Sequence, residues 1–357
     1  MLSALGSITV CRAYYYCRHC RQGHCPWDRT LGVQGRDLTP AAVQLTALAG
    51  VLTSFGEARA KVLPKMAGLR LAESTVQRVT EATGQRLQQE QAQGRTYGPD
   101  VAWAWHPDAT GQRCAYLSLD ATGVGQQGPG GTAAEGRMAY VGMIFNPRPA
   151  RGPGATQARY LAGLYDLDAL GAQLRRQGAQ VGMDQADRWV AVTDGGAVLE
   201  EFIRVHFPRA EVVLDFYHAA EHLNDLAKAW YQNEAEAQEQ AASWCHTLKH
   251  QGGPAVLEVL EGLDRRGRSA AVREVHRQVT QYMRNNVHRT DYPRYQAHGW
   301  LIGSGHVEAA CKAVVGMRLK GSGMRWSEAG ADSVCHLRAL FKSEASQWDA
   351  FWSPSPN

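Results

Sequence analysis

The sequence predicts an α/β protein: a mixed sheet with helices on its faces, a helical unit ahead of it, and an all-helical insertion within it. Three observations carry this expectation. Short apolar runs recur between residues 114 and 214, the later ones alternating with helical patterns, as strands and crossover helices do. Apolar residues at helical spacing dominate residues 38–93 and return for about 80 residues after Asp215. A length of 357 residues with 44% hydrophobic content holds two or three such units with ordinary cores, and excludes a disordered or fibrous chain.

Residues 1–36 are Cys-rich. Cys17-Arg18-His19-Cys20 is a Cys-x2-Cys knuckle flanked by Cys11, His24 and Cys25. Zinc takes four soft or borderline ligands, usually from two such pairs about 15 to 20 residues apart. An upstream pair at that spacing falls at or before Met1. The segment therefore reads as a zinc-ribbon remnant with Cys17 and Cys20 as candidate zinc ligands, or as a handful of reduced thiols. Cys114, Cys245, Cys311 and Cys335 each sit alone in apolar patterns and read as buried thiols.

Residues 37–100 are helical. Thr39-Pro40 opens the first helix, a second spans Phe55 to Met66, and a third begins around Ser74 after the turn Ala67–Leu71. A helix, a short Gly-containing turn and a further helix opening with Ser74, Gln77 and Arg78 has the layout of a helix-turn-helix DNA reader. Any αα-hairpin has the same layout. Gly94 to Asp108 reads as a linker.

In residues 101–216 the expected strands are Cys114–Asp120, Tyr140–Phe145, Arg159–Leu164, Trp189–Thr193 and Glu211–Leu214, with helices Leu167–Gln177 and Val198–Phe207. The later strands are apolar at consecutive positions, which fits a sheet buried on both faces. The glycine-rich stretch Gly123–Gly136 joins two strands and opens no helix, so it is read as a flexible hairpin loop and not as a nucleotide-binding loop. Residues 217–300 supply four helices, Tyr217–Trp230, Glu234–Leu248, Ala255–Leu263 and Ala270–Asn286. Residues 301–345 return to the sheet unit with a helix starting near Gly303.

Two strand-like runs end in Asp120 and Asp194, and the helix near Gly303 carries Glu308 in its first turn. Cleaving a phosphodiester with two magnesium ions needs about three carboxylates held around metals ~3.5 to 4 Å apart. Asp120, Asp194 and Glu308 are the candidates. Val307, Ala310, Cys311, Val314 and Val315 form an apolar stripe towards the sheet, and Gly303 and Gly305 let the helix start close to it. Asp184, Asp187 and Asp215 are rivals for the second position. Asp215 with His218 also reads as a pair that orients the ligands, or as an N-cap aspartate beside a surface histidine.

The formal charge of +4 permits a nucleic-acid partner without demanding one. Its distribution says more: eight arginines fall between Arg265 and Arg294, and Lys312, Arg318, Lys320 and Arg325 follow with no acid among them. Either stretch is a candidate phosphate surface or a solvated face. Trp326 either stacks on an unpaired base or packs in the core. No apolar run approaches the ~20 residues of a membrane span, and the start lacks a signal-peptide pattern, so the expected location is cytoplasmic with no membrane partner.

These residues resemble a known family. Tyr16–Cys20 with Pro26-Trp27-Asp28 and Leu31-Gly32, Asp120-Ala121-Thr122-Gly123, Asp194-Gly195, Asp215-Phe216-Tyr217-His218, and Gly303–Glu308 followed by Arg318-Leu319-Lys320 and Gly323–Trp326 are similar to the ISKra-type insertion-sequence transposases of the bacterial DDE group. The similarity runs from about residue 10 to the C-terminus and is most specific over Gly303–Trp326. It implies a ribonuclease-H-like core, Mg²⁺ dependence with Mn²⁺ able to substitute, and recognition of terminal inverted repeats and target DNA. It also implies a homo-oligomer on DNA, nucleoid-associated while bound. Asp120, Asp194 and Glu308 carry over as the DDE triad, and Asp215 with His218 as an Asp-x2-His motif. Family members extend further upstream, so the chain reads as short at its start. A catalytically silent DNA-binding remnant and a stand-alone nuclease are the alternatives.

Overall fold

The computed structural model describes residues 1–30, 37–148 and 156–353. Leu31 and Gly32 of the sequence motifs lie outside the described residues. The chain forms a mixed α/β structure around one five-stranded sheet. Its strands are β1 (Cys114–Gln127), β2 (Ala133–Asn146), β3 (Gln157–Gly163), β4 (Arg188–Thr193) and β5 (Ala210–Leu214), in the spatial order β3-β2-β1-β4-β5. β1, β2 and β3 form an antiparallel meander; β4 runs parallel to β1, and β5 parallel to β4.

Alternation along β1 separates two cores. Ala115, Leu117 and Leu119 face α4 (Leu167–Gln180) and α5 (Ala197–His206), meeting Leu170, Leu174, Phe202 and Ile203. Cys114, Tyr116 and Val124 face the other side, where the all-helical segment and the C-terminal helices cover the sheet. That segment comprises α6 (Phe216–Trp230), α7 (Glu234–Gln251), α8 (Gly253–Glu261), α9 (Ala270–Asn286) and α10 (Tyr292–Ala297). It is followed by α11 (Gly305–Ala310), which runs on through a π-helical turn at Cys311–Gly316, then by α12 (Glu328–Lys342) and α13 (Ala345–Trp352).

Ahead of the sheet lie three helices with their own apolar cluster, Ala42, Val43, Leu63, Leu69, Val76 and Val79. They are α1 (Pro40–Leu52), capped by the Thr39 hydroxyl; α2, running from Phe55–Glu57 through a π-turn at Ala58–Val62 to Leu63–Ala67; and α3 (Glu73–Ala92). α2 ends on Gly68 at φ 65°, the left-handed position that glycine occupies at low cost. Two buried arginines fasten this unit to the rest. Arg318 Nε donates to the Gly50 carbonyl at 2.8 Å, and Arg338 Nη1 donates to the Val51 carbonyl at 3.0 Å.

Four expectations change. Residues 123–136 are mostly strand: β1 and β2 stay paired as far as Gln127 opposite Ala133, leaving only a short turn. The extension forms because the far edge of β1 is also occupied, with Trp326 N–H donating to Gly125 O and Gln127 N–H to Trp326 O. Asp120 therefore lies within β1, opposite Val141, and not at its end. Residues 94–108 are no loose linker, since Trp103 and Trp105 are buried and their indoles donate to Glu344 and to the Gly182 carbonyl. Cys245 is half-buried, whereas Cys114, Cys311 and Cys335 are buried as expected.

α3 and α12 cross closely at Gly84. A Cβ there would lie 2.2 Å from the Ser333 carbonyl oxygen and 2.8 Å from its Cα, both backbone atoms that no rotamer change can move. Helix propensity favours alanine over glycine by ~1 kcal/mol, but overpacking costs about 1–3 kcal/mol and the clash here is severe. Gly84→Ala is expected to lower the melting temperature, measured by differential scanning calorimetry; an unchanged or higher value would contradict this crossing.

Candidate functional site

The parallel strands bring three aspartates to one level. Register pairs Leu117 with Ala191 and Thr193 with Leu214. Continuing it sets Asp120, Asp194 and Asp215 side by side, all towards the face covered by α11. α11 docks there because Val307, Ala310, Cys311, Val314 and Val315 are buried against the sheet, as the apolar stripe predicted. Its first turn carries Glu308 into the same place.

Asp120, Asp194, Asp215, His218 and Glu308 all line one cavity of about 360 Å³, together with Tyr217, Glu221 and Ser304. Three distant parts of the chain thus converge as the sequence anticipated. The Asp120 carboxyl is pushed up from its ordinary range by burial, reinforced by the nearby carboxylates of Asp194 and Glu308. It accepts from Ala121 N–H at 2.7 Å, and the Cys311 thiol lies 3.5 Å from its other oxygen. Burial and the Asp120 carboxylate keep that thiol protonated.

The rivals separate by their contacts. Asp215 is 3% exposed and uses both oxygens: Oδ1 accepts from Tyr217 N–H at 2.8 Å, capping α6, and Oδ2 meets the Ser304 hydroxyl. Ser304 Oγ also lies 2.7 Å from Glu308 Oε1, so its one proton is shared between the Asp215 and Glu308 carboxyl groups. Asp194 engages Gly196 N–H through Oδ1, at 2.8 Å. Asp187 sits at the opposite end of β4, bound to Arg113. Asp184 lies in a short turn ahead of that strand. His218 stands 3.7 Å from Glu221 at the cavity wall.

The donors are carboxylate oxygens, the type that suits hard divalent cations. As the side chains stand, no three His, Cys, Asp or Glu groups among the described residues converge as a metal site. The fit to a cation therefore rests on the donor type and on the crowding recorded at Asp120.

No protein-family model matches the sequence, and a search of curated proteins finds no match.

Around the cavity, Lys312 is exposed beyond Glu308, and Lys320 Nζ donates to Thr122 Oγ1 at 3.0 Å, two residues along β1 from Asp120. Arg325 reaches the Gly131 carbonyl at 3.4 Å at the hairpin turn. Two expected DNA contacts are corrected. Arg318 is 2% exposed, with its guanidinium 4.7 Å from the Phe55 ring centre and 4.9 Å from that of Trp326. Burial, with Arg338 nearby, brings it down to about 10. Trp326 is buried and donates to the Leu319 carbonyl at 3.0 Å, so it belongs to the core. Most of the Arg265–Arg294 run is also occupied: Arg266, Arg277, Arg284 and Arg294 hold acids, and Arg268 caps the Trp230 carbonyl.

Ser74, Gln77 and Arg78 are exposed on α3 and line a cavity of about 560 Å³ beside the start of α12, with Glu81 and Asp332 in the same groove. Cys17 and Cys20 lie at a small hairpin, Tyr15–Cys17 with Gln22–His24. Hydrogen bonds from Cys20 and from the His19 backbone lower the Cys17 thiol, but no third zinc ligand joins them among the described residues.

Sequence reasoning missed several site residues. Ser304 lies within the Gly303–Glu308 motif, where nothing in the sequence marks it out. Arg289 was one arginine among eight, yet it is buried, and its Nη1 donates to Thr193 Oγ1 at 3.1 Å immediately before Asp194. Tyr282 packs over Gly195, where a Cβ would lie 2.2 Å from its ring. At Gly303 a Cβ would come within 2.6 Å of the Tyr217 ring and push it aside, so glycine lets that ring lie against the chain; Gly305 faces open space, so its expected role is not needed.

The raised Asp120 pKa has a signed consequence. Relative stability is full below the unfolded value near 3.8 and is lost as pH rises through the higher folded value, when the carboxylate ionises beside its neighbours. Asp120→Asn removes that loss. In EDTA the variant is expected to melt above the wild type at pH 7.5 and level with it near pH 3.5, by differential scanning fluorimetry; a lower melting temperature at pH 7.5 would contradict the cost of ionising this buried carboxyl.

Proposed function

We propose that the chain is a metal-dependent DNA transposase of the DDE type, cutting DNA at insertion-sequence ends and joining those ends to target DNA. The observation that carries this reading is the convergence of Asp120, Asp194 and Glu308 on one cavity from β1, the end of β4 and the start of α11. The strand order, with an antiparallel meander followed by two parallel strands, supports a ribonuclease-H-like core.

Asp120, Asp194 and Glu308 would hold Mg²⁺, with Mn²⁺ as a substitute, which supplies Lewis-acid stabilisation of charge on the phosphate oxygens. The remaining roles belong to the chain. Asp215 and Ser304 fix the Glu308 carboxylate, and Arg289 fixes the strand end that carries Asp194. Lys312 and Lys320 supply positive charge beside the cavity for the substrate backbone. In the first step water displaces the 3′ oxygen of a terminal phosphodiester, so one P–O bond forms as another breaks and a 3′-OH is freed. In the second, that hydroxyl displaces an oxygen of a target phosphodiester in line. Holding two ends for joining calls for a homo-oligomer on DNA.

The test is nicking of a labelled duplex bearing the element's end, with Mg²⁺ or Mn²⁺. Wild type is expected to nick and then join ends to a target plasmid, Asp120→Ala and Glu308→Ala to do neither, and Asp215→Asn to fall roughly 10–100-fold, as loss of a ligand's hydrogen-bond partner does. Nicking without joining would leave a stand-alone nuclease. Binding without nicking would leave a silent DNA-binding protein.

A further inference from the structure

Tyr217 lines the carboxylate cavity and is 65% exposed, although it follows directly on the buried Phe216. An exposed aromatic on a helix is ordinary by itself. This one is held from several directions. Its N–H donates to Asp215 Oδ1 at 2.8 Å, and the preceding Phe216 N–H donates to the Ile302 carbonyl at 2.8 Å. Phe216 packs edge-on at 5.5 Å between ring centres. The ring itself rests against Gly303, where even a methyl group would displace it. The backbone is thus fixed and one side of the ring is braced by Phe216 and Gly303 before any ligand arrives, so less side-chain entropy is left to lose on binding.

The site also needs what such a ring supplies. A cavity lined by five carboxylates repels a phosphate backbone, and bound cations would offset that repulsion only locally. Stacking on a nucleobase adds affinity without adding charge, and it tolerates any base because every base has a π-face. We propose that Tyr217 is the stacking platform for a nucleobase beside the cleaved phosphodiester, an inference that rests on the DNA-cleaving reading above.

The test uses a duplex with a short single-stranded 3′ end carrying 2-aminopurine, in Ca²⁺ so that binding is measured without turnover. Wild type and Tyr217→Phe are expected to bind alike and to quench the fluorophore. Tyr217→Ala is expected to bind roughly tenfold more weakly and to leave it bright, with an unchanged melting temperature because the ring is exposed. Equal binding and quenching by Tyr217→Ala would overturn the stacking role while leaving the cleavage reading intact. Loss in Tyr217→Phe as well would assign the contact to the hydroxyl and overturn it too. Absence of binding by wild type, with no nicking in Mg²⁺, would overturn both proposals.

Discussion

The geometry of the site depends on one buried carboxylate. Asp215 caps α6 with one oxygen and reaches Ser304 with the other, so the last strand, the helix after it and the helix bearing Glu308 share a single point. Ser304 occupies the N-cap position of α11, where a serine ordinarily accepts from the helix backbone, yet it makes no capping bond. Its hydroxyl goes to Asp215 and Glu308 instead. A lost cap costs about 1 kcal/mol, whereas leaving a buried carboxylate unpartnered costs at least about 1–3 kcal/mol. The second penalty is the larger, which accounts for the choice the serine makes.

That arrangement works against the stability of the fold. Several carboxyl groups share one partly buried cavity, and burial, with Asp194 and Glu308 nearby, raises the Asp120 pKa. Such a site persists only if its surroundings over-determine it, and the helical segment between residues 216 and 297 does so. Arg289 holds Thr193, the Tyr292 hydroxyl donates to the Leu214 carbonyl at 3.0 Å, and Tyr282 closes over Gly195. Each contact falls on the residue beside an aspartate of the cavity. The insertion is therefore the outer wall of the site as well as cover for the sheet.

Much of this was legible in the sequence because it depended on local pattern. Periodicity gave every strand of the central sheet and the helix Ala270–Asn286 to the residue, and aspartates closing two apolar runs, with a helix-initial glutamate, pointed to residues that line one cavity although Asp120 lies mid-strand. What stayed hidden depended on partners distant in the chain. The glycines of residues 123–136 read as a loop because nothing nearby announces that Trp326 will pair along the strand edge. Arg318 reads as a phosphate contact or a solvated face, and Trp326 as a base stack or core, because a basic and aromatic stretch looks the same whether it faces solvent or Phe55. Charge counts along a sequence cannot distinguish an arginine that meets phosphate from one that meets carbonyl groups.

The same arginine shows how the site is tied to the N-terminal helices. Arg318 lies on the segment that continues from α11, and it donates to Gly50 at the far side of the interface. Arg338 reinforces the joint, binding Val314 of that segment at 3.0 Å and Val51 of α1. Hydrogen bonds to a charged group contribute about 1.5–3 kcal/mol each, while burying the charge costs several kcal/mol per ion. Arg338, with three such bonds, comes close to even, whereas Arg318 makes one and leaves Nη2 buried without a partner, so together these arginines add little net stability. What they add is placement: apolar packing alone would let α11 slide along the sheet, but donors aimed at particular carbonyls fix where it ends. Glu308 is thus held at the near end of its segment by Ser304 and Asp215, and at the far end by a clamp on the Gly50 and Val51 carbonyls of α1.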